Sequence, residues 1–225
     1  MILGIDIGGS KIRSIVWNGR KVSKSHEIHT PKNLKEFTKI ISGVINNSFP
    51  KQIGIGIAGV IKNNKVISAT NIKYLKNYNF PKNYKIDNDA RCFARAEYKL
   101  GAGKGAQSVL VFTIGTGIGR AYGKNGKILK IKRFEKEESW EKEYQKIYKT
   151  KAIAEFLTLR LFKIIKAYKP EVVILGGGVI EKKAYFKAIK QKMSEARFRT
   201  LGFTLHRAKL GKFSGAIGAA LQMDK

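Results

Sequence analysis

The sequence predicts an α/β protein of two similar lobes, each a mixed sheet with covering helices, and three observations carry that prediction. An apolar strand pattern, Leu110–Ile114, runs straight into the turn Gly115-Thr116-Gly117-Ile118-Gly119. The N-terminus has the same construction, since Ile2–Ile7 is a short apolar run followed by Gly8-Gly9-Ser10-Lys11. The order strand, strand, strand, helix, strand, helix then reads twice along the 225 residues. A strand ending in closely spaced glycines lets backbone N–H groups crowd onto an anion, and Thr116 and Ser10 add hydroxyls beside them. One such turn in each half points to two lobes gripping one polyphosphate, although either turn alone also suits a plain strand connection.

In the first lobe, Lys11–Trp17 alternates Ile12, Ser14 and Val16 against Arg13, Ile15 and Trp17, and Asn18-Gly19 marks a hairpin into Lys21–Ile28. Thr30-Pro31 is expected to cap a helix whose apolar stripe is Leu34, Phe37, Ile40/Ile41, Val44/Ile45 and Phe49. Gln52–Ile57 reads as the next strand. Three strands, a helix and a strand in that order begin a ribonuclease H-like mixed sheet. Gly54-Ile55-Gly56-Ile57-Ala58-Gly59 fits G-x-G-x-x-G, but strand and turn follow it rather than a helix, which argues against a dinucleotide site. Residues 58–85 read as loops and short strands framing a cleft. Ile86-Asp87-Asn88-Asp89 leads into a helix with Ala90, Phe93, Ala94 and Leu100 as its apolar face. Asp89 stands at or beside the N-cap, where capping is an aspartate's commonest job. Gly101, Gly103 and Gly105 end this helix and offer a hinge.

In the second lobe, Val109–Ile114, Gly119–Gly123 and Lys127–Lys132 read as three strands, with Lys124-Asn125-Gly126 a hairpin turn. Residues 134–148 are dense in charge. Lys151–Tyr168 reads as a helix buried through Ile153, Phe156/Leu157, Leu161, Ile164/Ile165 and Tyr168, and Pro170 stops it. Val172–Leu175 is a buried-type strand, and Gly176-Gly177-Gly178 makes a third close-approach turn. A helix over Glu181–Glu195, a strand over Phe203–His206 and a small-residue helix over Ser214–Leu221 complete the reading. The expected domains are an N-terminal lobe, 1–104, and a C-terminal nucleotide-binding lobe, 105–225, with the last helix, 214–224, able to pack back on the first.

Composition narrows the function classes. With 43% hydrophobic residues the chain can bury a substantial core. Cys92 is the one cysteine, so no intrachain disulfide forms and a cysteine-rich zinc site is excluded. No apolar run approaches the roughly 18 residues that span a bilayer, and no basic-then-apolar leader pattern opens the chain, so the expected setting is cytosolic with no membrane partner. The 45 Lys and Arg against 16 Asp and Glu give a net charge of +29, which favours an anionic polymer such as polyphosphate or RNA. The basic residues are spread along the chain and rarely form runs, a pattern that solvated lysines also produce. No P-loop, aromatic-basic RNA-binding signature or helix-turn-helix is present.

Taken in order, the motifs resemble the ROK family of sugar kinases within the actin, hexokinase and Hsp70 superfamily. They are G-I-D-I-G-G-S-K at 4–11, G-I-G-I-A-G-V-I at 54–61, Asn71 within T-N-I-K-Y-L, I-D-N-D-A-R at 86–91, G-T-G-I-G at 115–119, I-L-G-G-G-V at 174–179 and G-A-I-G-A-A-L at 215–221. The resemblance implies a two-lobed ribonuclease H-like fold of the actin/hexokinase ATPase type, and an ATP-dependent kinase acting on a hydroxyl of a hexose or N-acetylhexosamine. It implies Asp89 as the base on the sugar hydroxyl and Asn88 as the partner of a neighbouring hydroxyl. Asp6 would hold Mg²⁺ through water, while Gly8, Gly9, Ser10, Lys11, Gly115, Thr116 and Gly117 would hold the ATP phosphates. Gly176, Gly177 and Gly178 would admit the adenosine, and Gly59 and Asn71 would lie on the sugar side. The lobes would close about Gly101–Gly105, and the family suggests a homodimer.

One region departs from the family. Members carry a Glu-x-Gly-His segment, a His/Cys₃ zinc site and a further sugar-binding glutamate where this chain passes from Lys132 through Arg133-Phe134-Glu135-Lys136-Glu137-Glu138-Ser139-Trp140-Glu141 into a helix. No zinc is expected. Glu135, Glu138 and Glu141 could stand for the missing sugar ligands, and a solvated Glu/Lys face explains them equally well. The shortening leaves the acceptor open, polyphosphate as an alternative donor, and a non-catalytic nucleotide-binding protein acting through an anionic partner such as RNA as a second class of function.

Overall fold

The computed structural model of the protein describes residues 1–69, 71–130, 138–148, 150 and 152–223. In chain order the elements are β1 (Ile2–Ile7), β2 (Lys11–Trp17), β3 (Val22–His29), α1 (Leu34–Asn46), β4 (Gln52–Ile57), β5 (Val60–Lys62), β6 (Lys65–Ser68), β7 (Lys85–Asn88) and α2 (Asp89–Lys99). There follow β8 (Ser108–Ile114), β9 (Ile118–Lys124), β10 (Lys127–Leu129), α3 (Glu138–Ile147), α4 (Ile153–Tyr168), β11 (Val172–Gly176), α5 (Gly178–Glu181), α6 (Lys183–Met193), α7 (Ala196–Arg199), β12 (Thr204–Arg207) and α8 (Ser214–Ala220). The chain divides into two compact units, Met1–Ala96 with Phe213–Lys225, and Glu97–Lys212, where the sequence reading set the boundary after residue 104.

In the first unit the sheet runs β3-β2-β1-β4-β7. β1 pairs antiparallel with β2 and parallel with β4, which pairs parallel with β7. Alternation sends Leu3, Ile5, Ile7, Ile53, Ile55 and Ile57 to one face, where they pack with Phe37 and Ile41 of α1. The glycines of β1 and β4 point to the other face because α8 lies against it: a β-carbon on Gly4 would meet the Ala216 carbonyl, and one on Gly54 the Ala219 carbonyl. The G-x-G spacing of β4 therefore marks close approach of a helix backbone, not a phosphate loop.

Three expectations for residues 1–100 need correction. Asn33, not Thr30-Pro31, caps α1, its Oδ1 accepting the Glu36 N–H at 2.9 Å, while the Thr30 hydroxyl donates to the Gly8 carbonyl at 2.7 Å. Phe49 lies beyond the helix with φ +41° and is 83% exposed, so it is no part of the apolar stripe. Leu100 likewise lies past α2 and is exposed, whereas Ala90, Cys92, Ala94 and Ala96 are buried. The segment after β4 is irregular as expected, yet it buries Val66, Ile72, Leu75 and Phe80 in the core. Tyr78 stacks edge-on to Phe37 at 5.8 Å and to Phe80 at 4.8 Å.

The second unit has a sheet ordered β10-β9-β8-β11-β12, in which β8, β11 and β12 are parallel and β9 and β10 antiparallel. Its core joins Leu110, Phe112 and Ile114 of β8 to Leu157, Leu161 and Ile165 of α4 and to Ile189 of α6. Lys169 takes the left-handed conformation at φ 43° and ends α4, its N–H reaching the Ile165 carbonyl. The single helix expected over Glu181–Glu195 is broken at Lys182, whose extended backbone (φ −73°, ψ 104°) separates α5 from α6. Of the strand expected over 127–132, β10 covers Lys127–Leu129, and residues 131–132 lie outside the described residues. Among the described residues no helix is long and apolar enough to cross a membrane.

The two sheets and their helices give an α/β protein. Each unit repeats an antiparallel three-stranded meander joined to parallel strands, the ribonuclease H-like plan expected from the element order.

Candidate functional site

In the first unit the parallel strands β1, β4 and β7 all point the same way, and the predicted residues stand at or beyond their C-terminal ends. Open α/β sheets place ligands there because the strand ends leave turns and helix starts unpaired. Asp6 is the penultimate residue of β1, Gly59 follows β4, and Asn88 ends β7 with Asp89 opening α2. In the sheet register Asp6 lies beside Gly56, and Gly56 beside Asp87.

Asn88, not Asp89, caps α2. Its Oδ1 accepts the Ala90 N–H at 3.0 Å and the Arg91 N–H at 3.3 Å, and its Nδ2 donates to the Gly59 carbonyl at 3.2 Å. Asp89 is thereby released from capping. One of its oxygens accepts the adjacent Ala90 N–H at 2.9 Å, and burial pushes its carboxyl above the usual range against the pull of that bond, of bonds from its own N–H and the Asn88 side chain, and of the Arg91 charge. Asp6 is partly buried, and burial together with the Asp89 charge pushes it up to about 7 against Arg13.

Among the described residues no hydrogen-bond donor meets the Asp6 carboxylate, and no group of three or more His, Cys, Asp or Glu side chains gathers as a metal cluster. An undonated carboxylate pushed up by a second one gains most from a nearby cation. Magnesium, which retains most of its waters and needs few protein ligands, fits this donor set.

The turn after β1 is held by Thr30, whose hydroxyl binds the Gly8 carbonyl and whose N–H binds the Ser10 carbonyl at 3.1 Å. Asn71 lies against Gly9, where a β-carbon would stand 2.6 Å from the Asn71 β-carbon. The Lys11 ammonium is drawn toward β3, 3.2 Å from His29 Nε2 and 3.8 Å from Glu27. A close approach also fixes Gly59, where a β-carbon would meet the Ser68 carbonyl.

In the second unit both predicted turns follow parallel strands, Gly115-Thr116-Gly117 after β8 and Gly176-Gly177-Gly178 after β11. They are neighbours: Gly177, at φ +92°, would bring a β-carbon 2.6 Å from the Ile114 carbonyl, so only glycine fits there. Tyr144 and Gln145 of α3 donate to the carbonyls of Gly115 and Thr116. Glu135 lies outside the described residues, Glu138 opens α3, and Glu141 lies in its first turn.

Sequence reasoning missed the groups that brace these sites. Asp87 pairs with Arg91 at 2.5 Å and Arg95 at 2.7 Å, under the first two turns of α2. The i to i+4 and i to i+8 spacing of opposite charges was the available signal. The bonds from Thr30, Tyr144 and Gln145 link residues far apart in sequence, and no local pattern announces them.

The family model described as the ROK family matches residues 2–133 and 131–225. A glucokinase of Streptomyces coelicolor is 29% identical over 136 residues, covering 53% of this chain and 42% of the relative, so the chain spans less than half the length of that protein. An N-acetyl-D-glucosamine kinase of Histophilus somni is 24% identical over 298 residues, covering 98% of each. Among solved structures, an inorganic polyphosphate/ATP-glucomannokinase of an Arthrobacter strain superposes with a TM-score of 0.77 at 23% identity, over 99% of this chain and 97% of that one, a likeness of fold. With the family model matched along nearly its whole length and the fold of each unit accounted for, the chain belongs to the ROK family.

Proposed function

We propose that the chain is a sugar kinase, transferring the γ-phosphoryl group of ATP to a hydroxyl of a hexose or N-acetylhexosamine. The observation that carries this reading is the division of labour at the start of α2: Asn88 caps the helix, and the half-buried Asp89 carboxylate beside the end of β7 is held by local bonds to Ala90, its own backbone N–H and Asn88. Phosphoryl transfer is loose, so the protein mainly positions the nucleophile and neutralises charge. Asp89 accepts the hydrogen bond of the acceptor hydroxyl and takes its proton as the new P–O bond forms. Burial raises its carboxyl above the usual range, which makes it a stronger proton acceptor.

The backbone N–H groups after β1 and β8 are the proposed phosphate contacts. Asp6 would hold a magnesium ion through water, and that ion would neutralise charge on the phosphates. Gly59 and Asn71 are proposed on the sugar side, with Gly176, Gly177 and Gly178 beside the adenosine.

The +29 charge favours a second donor, inorganic polyphosphate, within the same scheme, as in the name of the Arthrobacter relative. Rates with ATP and with polyphosphate across a panel of hexoses and N-acetylhexosamines test both readings. The kinase reading predicts saturable, sugar-dependent product formation with at least one donor. Nucleotide binding that no sugar stimulates, coupled to salt-sensitive RNA binding, supports the non-catalytic alternative instead.

A further inference from the structure

The turn Gly115-Thr116-Gly117 is held from behind by α3. The buried Tyr144 hydroxyl donates to the Gly115 carbonyl at 2.6 Å, and the Gln145 amide donates to the Thr116 carbonyl. A trans peptide is planar, with its C=O and the following N–H on opposite sides. Each carbonyl drawn toward α3 therefore turns the next N–H away from it.

Thr116 N–H and Gly117 N–H both point away from the helix as a result, and neither meets an acceptor among the described residues. Consecutive N–H groups aimed the same way form a concavity for an anion. The Gly115 N–H is outside this set, since it donates to the Gly117 carbonyl at 2.9 Å.

The brace is itself firmly seated. Trp140 and Tyr144 belong to the core of the unit, the Arg120 guanidinium lies 4.7 Å from the Trp140 ring centre, and Arg160 pairs with Glu143 at 2.5 Å. α3 occupies the stretch where the chain departs from its family's pattern, so this support belongs to the chain's own sequence.

We propose that Tyr144 and Gln145 are positioning residues for the donor polyphosphate, presetting the Thr116 and Gly117 N–H groups for a phosphate before any ligand arrives. The inference rests on the donor-turn reading above. Preorganised donors bind more tightly because the turn need not be ordered at the moment of binding.

The test measures binding of inorganic tripolyphosphate, ATP and adenosine by calorimetry to the full chain and to Y144F and Q145A. Each variant is expected to weaken tripolyphosphate and ATP about tenfold while adenosine affinity stays unchanged. Gln145 is exposed, so Q145A answers the question even where Y144F fails to fold. Variants that bind tripolyphosphate as well as wild type overturn the positioning role and leave the donor turn standing. Parallel loss of adenosine and tripolyphosphate overturns it too, because it marks a general structural role. Wild-type protein that binds neither tripolyphosphate nor ATP overturns the donor-turn reading, and this inference with it.

Discussion

Gly215 faces Asp6 so closely that a β-carbon on the glycine would stand 2.5 Å from a carboxylate oxygen. Three residues on, a β-carbon on Gly218 would run into the Cys92 carbonyl, which is backbone and cannot swing aside. The two positions separate function from stability. Gly215→Ala is expected to cost about 1 kcal/mol, because a side chain can yield, but to displace Asp6 and lower activity well beyond that loss. Gly218→Ala is expected to cost about 3 kcal/mol. Urea unfolding beside steady-state kinetics checks the contrast.

Asp87 makes the first unit acid-sensitive. Burial alone would push its carboxyl up, but Arg91 and Arg95 outweigh burial and hold it below the usual range. A depressed folded-state value means that the stabilisation is complete above the unfolded value, about 3.9, and is lost as pH falls through the folded one. Asp87→Asn is expected to lose about 3 kcal/mol at neutral pH, since it takes the carboxylate from the buried Arg91 guanidinium and from the half-buried Arg95. Urea midpoints from pH 7 downward should converge for wild type and variant as the acid limit is reached.

Asp6 behaves in the opposite sense. A carboxyl raised by burial and by Asp89 to about 7 favours the folded state at low pH and opposes it as pH rises toward that value. Asp89→Asn is expected to lower the Asp6 value, readable in a carboxyl-carbon NMR titration. Magnesium is expected to raise the melting temperature more at pH 8 than at pH 6, and chelation to reverse the gain. An Asp6 value indifferent to Asp89 would show the two carboxylates to be electrostatically independent.

Glu97 is fully buried and accepts the backbone N–H groups of Ala102 at 3.0 Å, Lys209 at 3.0 Å and Leu210 at 2.9 Å. Gly101 is a glycine because a β-carbon there would meet this carboxylate. Glu97→Ala strands three part-buried donors and is expected to cost about 3 kcal/mol, while Glu97→Gln, which keeps an acceptor, costs less. Denaturant midpoints of the pair report the difference.

Much of this protein was readable along the chain because its signals are local. The strand-to-glycine turns after β1, β8 and β11 and the apolar stripe of α4 are patterns within a few residues, and the element order they set is the observed one. The errors came where a local pattern had a distant owner. Thr30-Pro31 looked like a helix cap, yet the threonine is spent on Gly8, and Asn33 caps instead. The G-x-G of β4, rightly not read as a dinucleotide loop, has its reason elsewhere in the chain: Gly54 makes room for α8, some 160 residues later, and Gly56 for Cys92 of α2. Asn88 and Asp89 were recognised as a pair, but which of them caps α2 depends on side-chain geometry that adjacency alone does not decide.

The central claim is that Asp89 acts on the acceptor hydroxyl. Sugar-dependent ADP formation, measured for wild type and for Asp89→Asn over a range of sugar concentrations, tests it most directly. The account predicts a fall in kcat of about 10²–10⁴, with nucleotide affinity little changed, as expected for loss of a positioned base. An Asp89→Asn enzyme that turns over sugar at the wild-type rate would contradict the assignment and return Asp89 to a structural role at the start of α2.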